Sequence, residues 1–286
     1  MAPLTVIVPL RLTRRGERSR RRLARLLRQL PPELPAIVAD DTADPRLVAR
    51  TRRLVEARPA TCHLHHPATA ASPFSIGRLR DAGAARAADG LLLFHDVDFA
   101  APRAAYRRLA AQVVASGLDA EAAVVRCVPV FFLTRLGTAV YRAAPVRSWR
   151  ALAERGAGRR RALVDRLVLG SSAILVQRRQ LFAVGGHDEG FVGHGAEDFD
   201  LLHRLSAYDP RGPRPSRYHV DFGSRSQVDD GFRAYFARYG QPLLDSGVAL
   251  VHQWHPRRKE DPRYYAARRA NFERLERLLA EGGAPR

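Results

Sequence analysis

Short apolar runs alternate with longer amphipathic stretches over the first hundred residues of the chain. Leu4-Thr5-Val6-Ile7-Val8, Ala36-Ile37-Val38-Ala39 and Leu91-Leu92-Leu93-Phe94 are long enough for buried strands and too short for helices. Thr61 to His66 is a weaker run of the same kind. Between these runs, Arg18 to Leu30 carries Leu23, Leu26, Leu27 and Leu30 on one helical stripe and stops at Pro31-Pro32. Asp44-Pro45 reads as an N-cap followed by proline in the first helical turn, opening a helix to about Ala57. A third helical stretch starts at Ser72-Pro73, places Phe74, Ile76, Leu79 and Ala82 on its apolar side and ends near Asp89-Gly90. This alternation predicts an α/β fold with a mostly parallel central sheet flanked by helices, joined by right-handed crossovers.

Beyond residue 100 the pattern is less regular. Ala101-Pro102 starts a helix to about Ser116, and Ala122 to Val130 reads as a strand continuing through Phe131-Phe132-Leu133. Thr134 to Arg161 is basic, contains Gly156 and Gly158, and reads as a mobile loop. Gly170 to Val176 is a further strand, and Arg178 to Val184 a short helix ending at Gly185-Gly186. Tyr208 to Val228 reads as loop and Asp229 to Tyr239 as helix. Val248-Ala249-Leu250-Val251 is the last strand. Asp261-Pro262 caps a final amphipathic helix to about Leu279, through Phe272, Leu275 and Leu278.

Three stretches carry candidate chemistry. The Leu91–Phe94 run leads directly into His95-Asp96-Val97-Asp98, two carboxylates spaced i, i+2. Open α/β sheets bind ligands at the carboxyl ends of their strands, and on an extended chain such residues face one side. Two hard oxygen ligands suit Mg2+ or Mn2+ completed by waters and phosphates, although an aspartate pair after a strand also makes turns and caps. Gly186 to Asp200 is the second stretch: glycines that let the backbone approach a ligand, then Glu197-Asp198-Phe199-Asp200 opening a helix. Acidic residues there equally suit the helix dipole. His252 and His255 form the third, spaced i, i+3 after the last strand, where a turn at Pro256 lets both reach one metal. Arg11, Arg14 and Arg15, just past the first strand, fit a phosphate or base contact or a plain basic loop. His63, His65 and His66 read as ordinary polar residues near a strand end. No GxGxxG follows the first strand and no GxxxxGK[ST] occurs, which argues against a dinucleotide fingerprint and a P-loop.

Composition changes this picture at one point. The 286 residues carry a net charge of +19, nearly all from arginine, since Lys259 is the only lysine. Such a balance suits nucleic acid or another polyanion. The arginines are spread along the chain, however, and accompany abundant Ala, Pro and Gly, as a GC-rich genome would produce. Cys62 and Cys127 form no CxxC pair, so neither a zinc site nor a disulfide framework is expected, and a reducing cytoplasm fits. No run of 18 apolar residues and no signal-peptide pattern is present.

Taken in order, the three stretches resemble the GT-A glycosyltransferases, most nearly the β-1,4-galactosyltransferase type and the related catalytic domains of polypeptide N-acetylgalactosaminyltransferases and bacterial chondroitin polymerases. Phe94-His95-Asp96-Val97-Asp98 is similar to that family's metal-binding DxD segment, and Gly185 to Asp200 to its "NGF…FWGWGGEDDD" segment. His252 and His255 stand where the family completes its Mn2+ shell. Pro9-Leu10-Arg11 resembles its "PFR" nucleotide contact and Phe74 to Arg78 its "FNR" contact. Two departures bear on the sugars: His194 stands in place of a sugar-contacting tryptophan, and Phe199 replaces the middle aspartate of the acidic run. The resemblance covers nearly the whole chain. It implies one catalytic domain over 1–286, with a nucleotide-binding half at 1–100 and an acceptor-binding half with the C-terminal helix at 101–286.

The resemblance further implies a UDP-sugar donor, Mn2+ or Mg2+, and inversion at the anomeric carbon, with a glycan or a natural product as acceptor. Asp98, His252 and His255 would ligate the metal, and Asp96 would hold the ribose or a metal-bound water. Asp198 would be the general base, with Glu197 orienting the acceptor or supporting the loop. Pro9, Arg11, Asp40, Phe74, Arg78, Asp96 and Gly195 are the candidates for holding the nucleotide-sugar. The family's animal members are membrane-anchored and disulfide-bonded; this chain is expected to be a bacterial, cytoplasmic counterpart, with peripheral membrane contact open. Two other readings stand beside it: an arginine-rich nucleic-acid or polyanion binder on a degenerate transferase scaffold, and a nucleotidyltransferase sharing the sheet and metal carboxylates.

Overall fold

Strand β1 (Leu4–Leu10) is buried along its whole length, as a strand covered on both faces must be. The computed structural model describes residues 4–13, 17–67, 74–118, 123–143, 162–170, 172–220, 230–256 and 262–281. β1 pairs in parallel with β2 (Ala36–Asp40) on one side and β4 (Leu91–Phe94) on the other, with Val8 opposite Val38 and Ile7 opposite Phe94. β3 (Thr61–His65) extends the sheet in parallel beyond β2. The connecting helices are α1 (Glu17–Gln29), α2 (Pro45–Glu56) and α3 (Ile76–Arg86). In α2 the Asp44 side chain accepts from the Arg46 and Leu47 amides, a cap worth about 1 kcal/mol. The parallel half is thus the one the alternation predicts, and α3 starts after its cap Ser75 rather than at Ser72-Pro73, which lie outside the described residues.

The six-stranded sheet has the order β3-β2-β1-β4-β9-β6, and its far side is antiparallel. β9 (Ile174–Gln177) runs against both β4 and β6 (Val125–Cys127). Side chains alternate between two cores. Val6, Val8, Leu91 and Leu93 face α1 residues Leu23, Leu26 and Leu27, together with Tyr106 and Leu109 of α4 (Arg103–Ala115). Ile7, Leu92 and Phe94 face Ala84 of α3, and beyond it residues from helices of the second half.

A second sheet was not legible in the sequence. It has the order β5-β10-β7-β8, built from β5 (Phe99–Ala100), β10 (Leu250–His252), β7 (Val130–Leu133) and β8 (Val164–Val168). The single strand expected over Ala122–Leu133 is in fact two strands in different sheets. Val128 donates its amide to Ala173 beside the first sheet, while the Pro129 carbonyl accepts from Leu250 in the second, each at 2.8 Å. Proline has no N–H to continue a ladder, so the break falls there.

The expected loop over Thr134–Arg161 begins with a helix, α5 (Arg135–Ala143), whose Gly137 amide is accepted by Thr134 Oγ1 at 3.0 Å. Residues 144–161, with Gly156 and Gly158, lie outside the described residues, as do Arg14, Arg15, residues 221–229 and residues 257–261. α6 (Arg178–Ala183) and α7 (Glu197–Leu205) follow β9. α8 (Phe232–Asp245) runs past Tyr239 and contains Pro242. The final helix is two, α9 (Pro262–Ala266) and α10 (Arg268–Ala280), with Leu275 and Leu279 buried.

Candidate active site

β4 ends at Phe94 and the chain turns at once. The His95 amide reaches the Ile7 carbonyl at 2.9 Å, and the Phe99 amide closes on the Asp96 carbonyl at 3.0 Å. β5 then pairs antiparallel with β10, Phe99 opposite His252, and the Gln253 amide donates to the Asp98 carbonyl at 3.0 Å. That register delivers both late histidines to one carboxylate. His255 Nε2 lies 2.7 Å and His252 Nε2 3.6 Å from Asp98 Oδ2. One donor atom from each of the three lies within 4.8 Å of the others. Burial opposes ionisation of Asp98, but the His252 and His255 imidazoles outweigh it and hold the carboxyl well below the usual range.

One carboxylate and two imidazoles form a donor set that can hold a divalent transition-metal cation and leaves positions for further oxygen ligands. His255 Nδ1 faces the Pro256 carbonyl at 3.0 Å, so Nδ1 donates there and Nε2 is the nitrogen turned to Asp98. The loop is braced from behind. Buried Gln253 accepts through Oε1 from Arg25 Nη1 at 2.9 Å and Arg142 Nε at 3.2 Å. Thr138 Oγ1 accepts the Trp254 amide at 2.7 Å, and the His252 ring stacks on Phe132, centroids 4.5 Å apart.

Asp96 belongs to a different neighbourhood. Residues 95–98 form a turn rather than a strand, so the i, i+2 rule for an extended chain does not align its carboxylate with that of Asp98. Asp96 Oδ1 accepts from Arg80 Nη2 at 2.9 Å, and Oδ2 from Ser172 Oγ at 3.2 Å. Burial pushes the Asp96 carboxyl up and Arg80 pulls it back. Arg80 is wholly buried; the charges of Asp96, Glu197 and Asp198 outweigh the desolvation that would otherwise lower its pKa. Its Nε and Nη1 have no protein partner.

A cavity of about 240 Å3 opens beside this pair, lined by Arg80, Asp96, Ser172, Gly195, Glu197 and Asp198 among others. Phe132 lines it too, so the ring that supports His252 forms a wall shared with the histidine triad. The glycine-rich stretch shapes the opposite wall. The Gly193 amide donates to the Phe74 carbonyl at 3.1 Å, and at φ +75° a Cβ on Gly193 would meet the Tyr264 carbonyl oxygen at 2.6 Å. Ala196 adopts the left-handed conformation at φ 76° immediately before α7, unusual for a residue with a side chain.

That kink places Glu197 and Asp198 in the first helical turn at the cavity. Burial, and next the Asp198 charge, push the Glu197 carboxyl up to about 8, with Arg80 opposing; its Oε2 has no partner. Asp200, third of the acidic run, is spent on Arg204, Oδ2 to Nη2 2.6 Å.

The candidates of the nucleotide half gather past β1 and β2. Arg11 pairs with Asp41 through Nε at 2.9 Å and Nη2 at 2.6 Å, Arg78 Nη2 lies 3.5 Å from the same carboxylate, and Arg11 sits over the Phe74 ring at 5.2 Å. Pro9 is in β1 opposite Ala39. Asp40 is turned inward: its oxygens meet the Thr42 amide at 2.9 Å and His63 Nε2 at 3.0 Å, and it is fully buried. Asp41, beside it, is the residue that joins Arg11 and Arg78. Sequence reasoning missed Asp41 and Arg80. Their signal was position alone, a carboxylate at a strand end and an arginine two residues past Arg78.

A mixed α/β sheet flanked by helices is the architecture of the GT-A class. The chain belongs to the family described as "Glycosyltransferase like family 2", whose model matches residues 5–278. No curated protein matches the chain. Among solved structures it is similar to S. aureus TarS 1–349, at 14% identity and TM-score 0.42, covering 71% of this chain and 55% of that one. The same protein in complex with UDP gives 15% identity and TM-score 0.41, with the same coverage. Glucosyl-3-phosphoglycerate synthase from Mycobacterium tuberculosis, in complex with Mn2+, UDP and glucosyl-3-phosphoglycerate, gives 16%, 0.42, 71% and 66%. The chain thus spans about half the length of the first of these. Among the described residues no helix is long and apolar enough to cross a membrane.

Proposed function

We propose that the protein transfers a sugar from a UDP-sugar to an acceptor hydroxyl, with inversion and with a divalent cation, Mn2+ for preference, at Asp98, His252 and His255. The observation that carries this reading is the convergence of those three donor atoms within 4.8 Å, next to a cavity that Asp198 lines. A cation held there offsets charge on the leaving diphosphate. Arg80 supports the same reading: two buried guanidinium nitrogens without protein partners, Nε and Nη1, cost about 1–3 kcal/mol each unless a ligand or water satisfies them.

On this reading Asp198 takes the proton from the acceptor hydroxyl as that oxygen attacks the anomeric carbon. Glu197, with its carboxyl pushed up to about 8, is protonated at neutral pH and donates a hydrogen bond instead of acting as base. Arg11, Asp41, Arg78 and Phe74 form the nucleotide's seat, and Asp96, aligned by Arg80 and Ser172, faces the ribose or a metal-bound water. The described chain then works as one catalytic domain, the first hundred residues for the nucleotide and the remainder for the acceptor. The β-1,4-galactosyltransferase-like kinship and a cytoplasmic setting belong to this reading as well.

The net charge finds outlets inside the fold, in pairs such as Arg11–Asp41, Arg126–Asp209 and Arg204–Asp200, which favours transfer over general polyanion binding. Thermal unfolding with Mn2+ and a series of UDP-sugars tests the proposal. A donor-dependent rise in Tm that disappears in Asp98→Ala, together with release of free UDP, is expected. No rise and no UDP release with any common UDP-sugar would overturn it.

A further inference from the structure

The outer face of α5 differs from the rest of the surface. At 3.6 residues per turn, Leu136, Ala139, Val140 and Ala143 fall on one side of the helix, and Gly137, Thr138 and Tyr141 on the other. The second set is buried against the protein and the first is exposed. Leu136 is 56% and Val140 39% exposed, an i, i+4 pair of large apolar side chains turned to water. Trp254, 42% exposed, adjoins the helix. Thr138 Oγ1 accepts its amide, and Arg135 lies over its ring, Cζ to centroid 5.8 Å.

Arginines border this apolar strip. Arg135 and Arg142, both exposed, follow its edge, and α5 carries no acidic residue. The charge continues onto α1, which has six arginines against one glutamate. The two helices meet where Gln29 Nε2 donates to the Tyr141 hydroxyl at 3.2 Å, and where Arg25 and Arg142 donate to the same Gln253 oxygen. Burial, then the Arg142 charge, lowers the Arg25 pKa, and Arg28 adds to this, so positive charge is crowded here.

A short helix with exposed leucine and valine, arginines along its margin and a tryptophan beside it has the pattern of a segment lying flat in a membrane interface. Its apolar side enters the acyl boundary, its cations stay at the headgroups and the tryptophan marks the level between them. The nine residues of α5 rise about 13 Å, far short of a hydrocarbon core roughly 30 Å thick, so such a contact is peripheral. A protein partner fits less well. Three part-exposed side chains offer far less than the roughly 800 Å2 per partner that a stable interface buries. A lipid surface needs no matching relief, and anionic headgroups complement the arginines.

We propose that α5 and Trp254 dock the protein onto an anionic lipid surface, with Leu136, Val140 and Trp254 in the interface and Arg28, Arg135 and Arg142 at the headgroup phosphates. Neither donor nor cation enters the argument, so the inference stands apart from the transfer reading above. Trp254 lies between His252 and His255 in the chain, and docking therefore brings that triad close to the bilayer.

Co-sedimentation of the full chain with vesicles tests this, without metal or nucleotide. Two compositions serve: phosphatidylcholine alone, and phosphatidylcholine mixed with phosphatidylglycerol. Partition onto the mixed vesicles is expected to be about ten-fold stronger or more, since each arginine at an anionic surface contributes about five-fold. Leu136→Ser/Val140→Ser is expected to weaken it about ten-fold, and Arg28→Gln/Arg135→Gln to a similar degree, with Tm unchanged in both. A second measurement does not depend on those variants. In a Trp149→Phe chain Trp254 is the only tryptophan, and brominated acyl chains in the mixed vesicles are expected to quench its fluorescence. Absence of binding to either vesicle, equal binding to both, binding that survives the serine pair, or an unquenched Trp254 would overturn the proposal. So would a dimer, seen by light scattering, that the serine pair dissociates, because it would assign the face to a second copy of the chain.

Discussion

Two regions flank the cleft, the turn that gathers His252 and His255 on Asp98 and the acidic opening of α7, and each withdraws a carboxyl group from water. They do so with opposite results. At Asp98 the two imidazoles overcome burial and hold the group ionised. At Glu197 burial and the neighbouring Asp198 charge prevail over Arg80, and the proton stays on until about pH 8. The same functional group becomes an anion suited to a cation in one place and a neutral hydrogen-bond donor in the other. What separates them is the sign of the nearest charge rather than depth.

The contrast yields measurable consequences. The largest is at the triad: Asp98→Ala should remove the Mn2+-dependent Tm shift and reduce turnover to its metal-free level, measured with and without chelator. Next, Asp198→Asn should lower kcat by about 10²–10⁴-fold while Mn2+ and UDP still bind, checked by UDP release beside calorimetry. Gln253→Ala removes the brace behind the histidines and should weaken Mn2+ by about 10–100-fold, read by metal titration. The smallest effect is at Glu197. Its folded carboxyl keeps a proton that the unfolded chain releases near pH 4.5, so the native protein binds more protons than the unfolded chain up to about pH 8. Its contribution to stability is full below pH 4.5 and is lost as pH rises through about 8. Glu197→Gln should flatten Tm across that window, and an unchanged slope would place the raised carboxyl elsewhere.

How much of this was readable beforehand differs between the halves. Buried parallel strands give unbroken apolar runs, so β1, β2 and β4 and their helices stood out, and Asp44-Pro45 fixed the start of α2. Strands of the second sheet are short, and β8 has no buried residue and puts exposed Asp165 and Arg166 side by side, which hides it in a basic stretch. Splitting of the run at Val128-Pro129 needed the knowledge that its two ends pair with different neighbours. Likewise, Asp98, His252, His255 and Asp198 stood out as candidates by residue type and by resemblance. The pairings of Arg80 with Asp96 and of Asp41 with Arg11 did not, because an arginine in an arginine-rich chain announces nothing until its partner is known.

The break at Pro129 is one of five passages of the chain between the sheets. His95 to Asp98 makes another, from β4 to β5, and the segment between β8 and β9, with Gly170 and Ser172, a third. The two sheets are stitched together along a seam, and the cleft lies on it. Asp96 is tied to one panel through Arg80, and Asp98 to the other through the Gln253 amide, though they are two residues apart. A molecule that touches both aspartates pulls on both panels at once. Substitutions in the stitches, remote from every ligand, should therefore alter how donor and cation sense each other before they alter how tightly either is held.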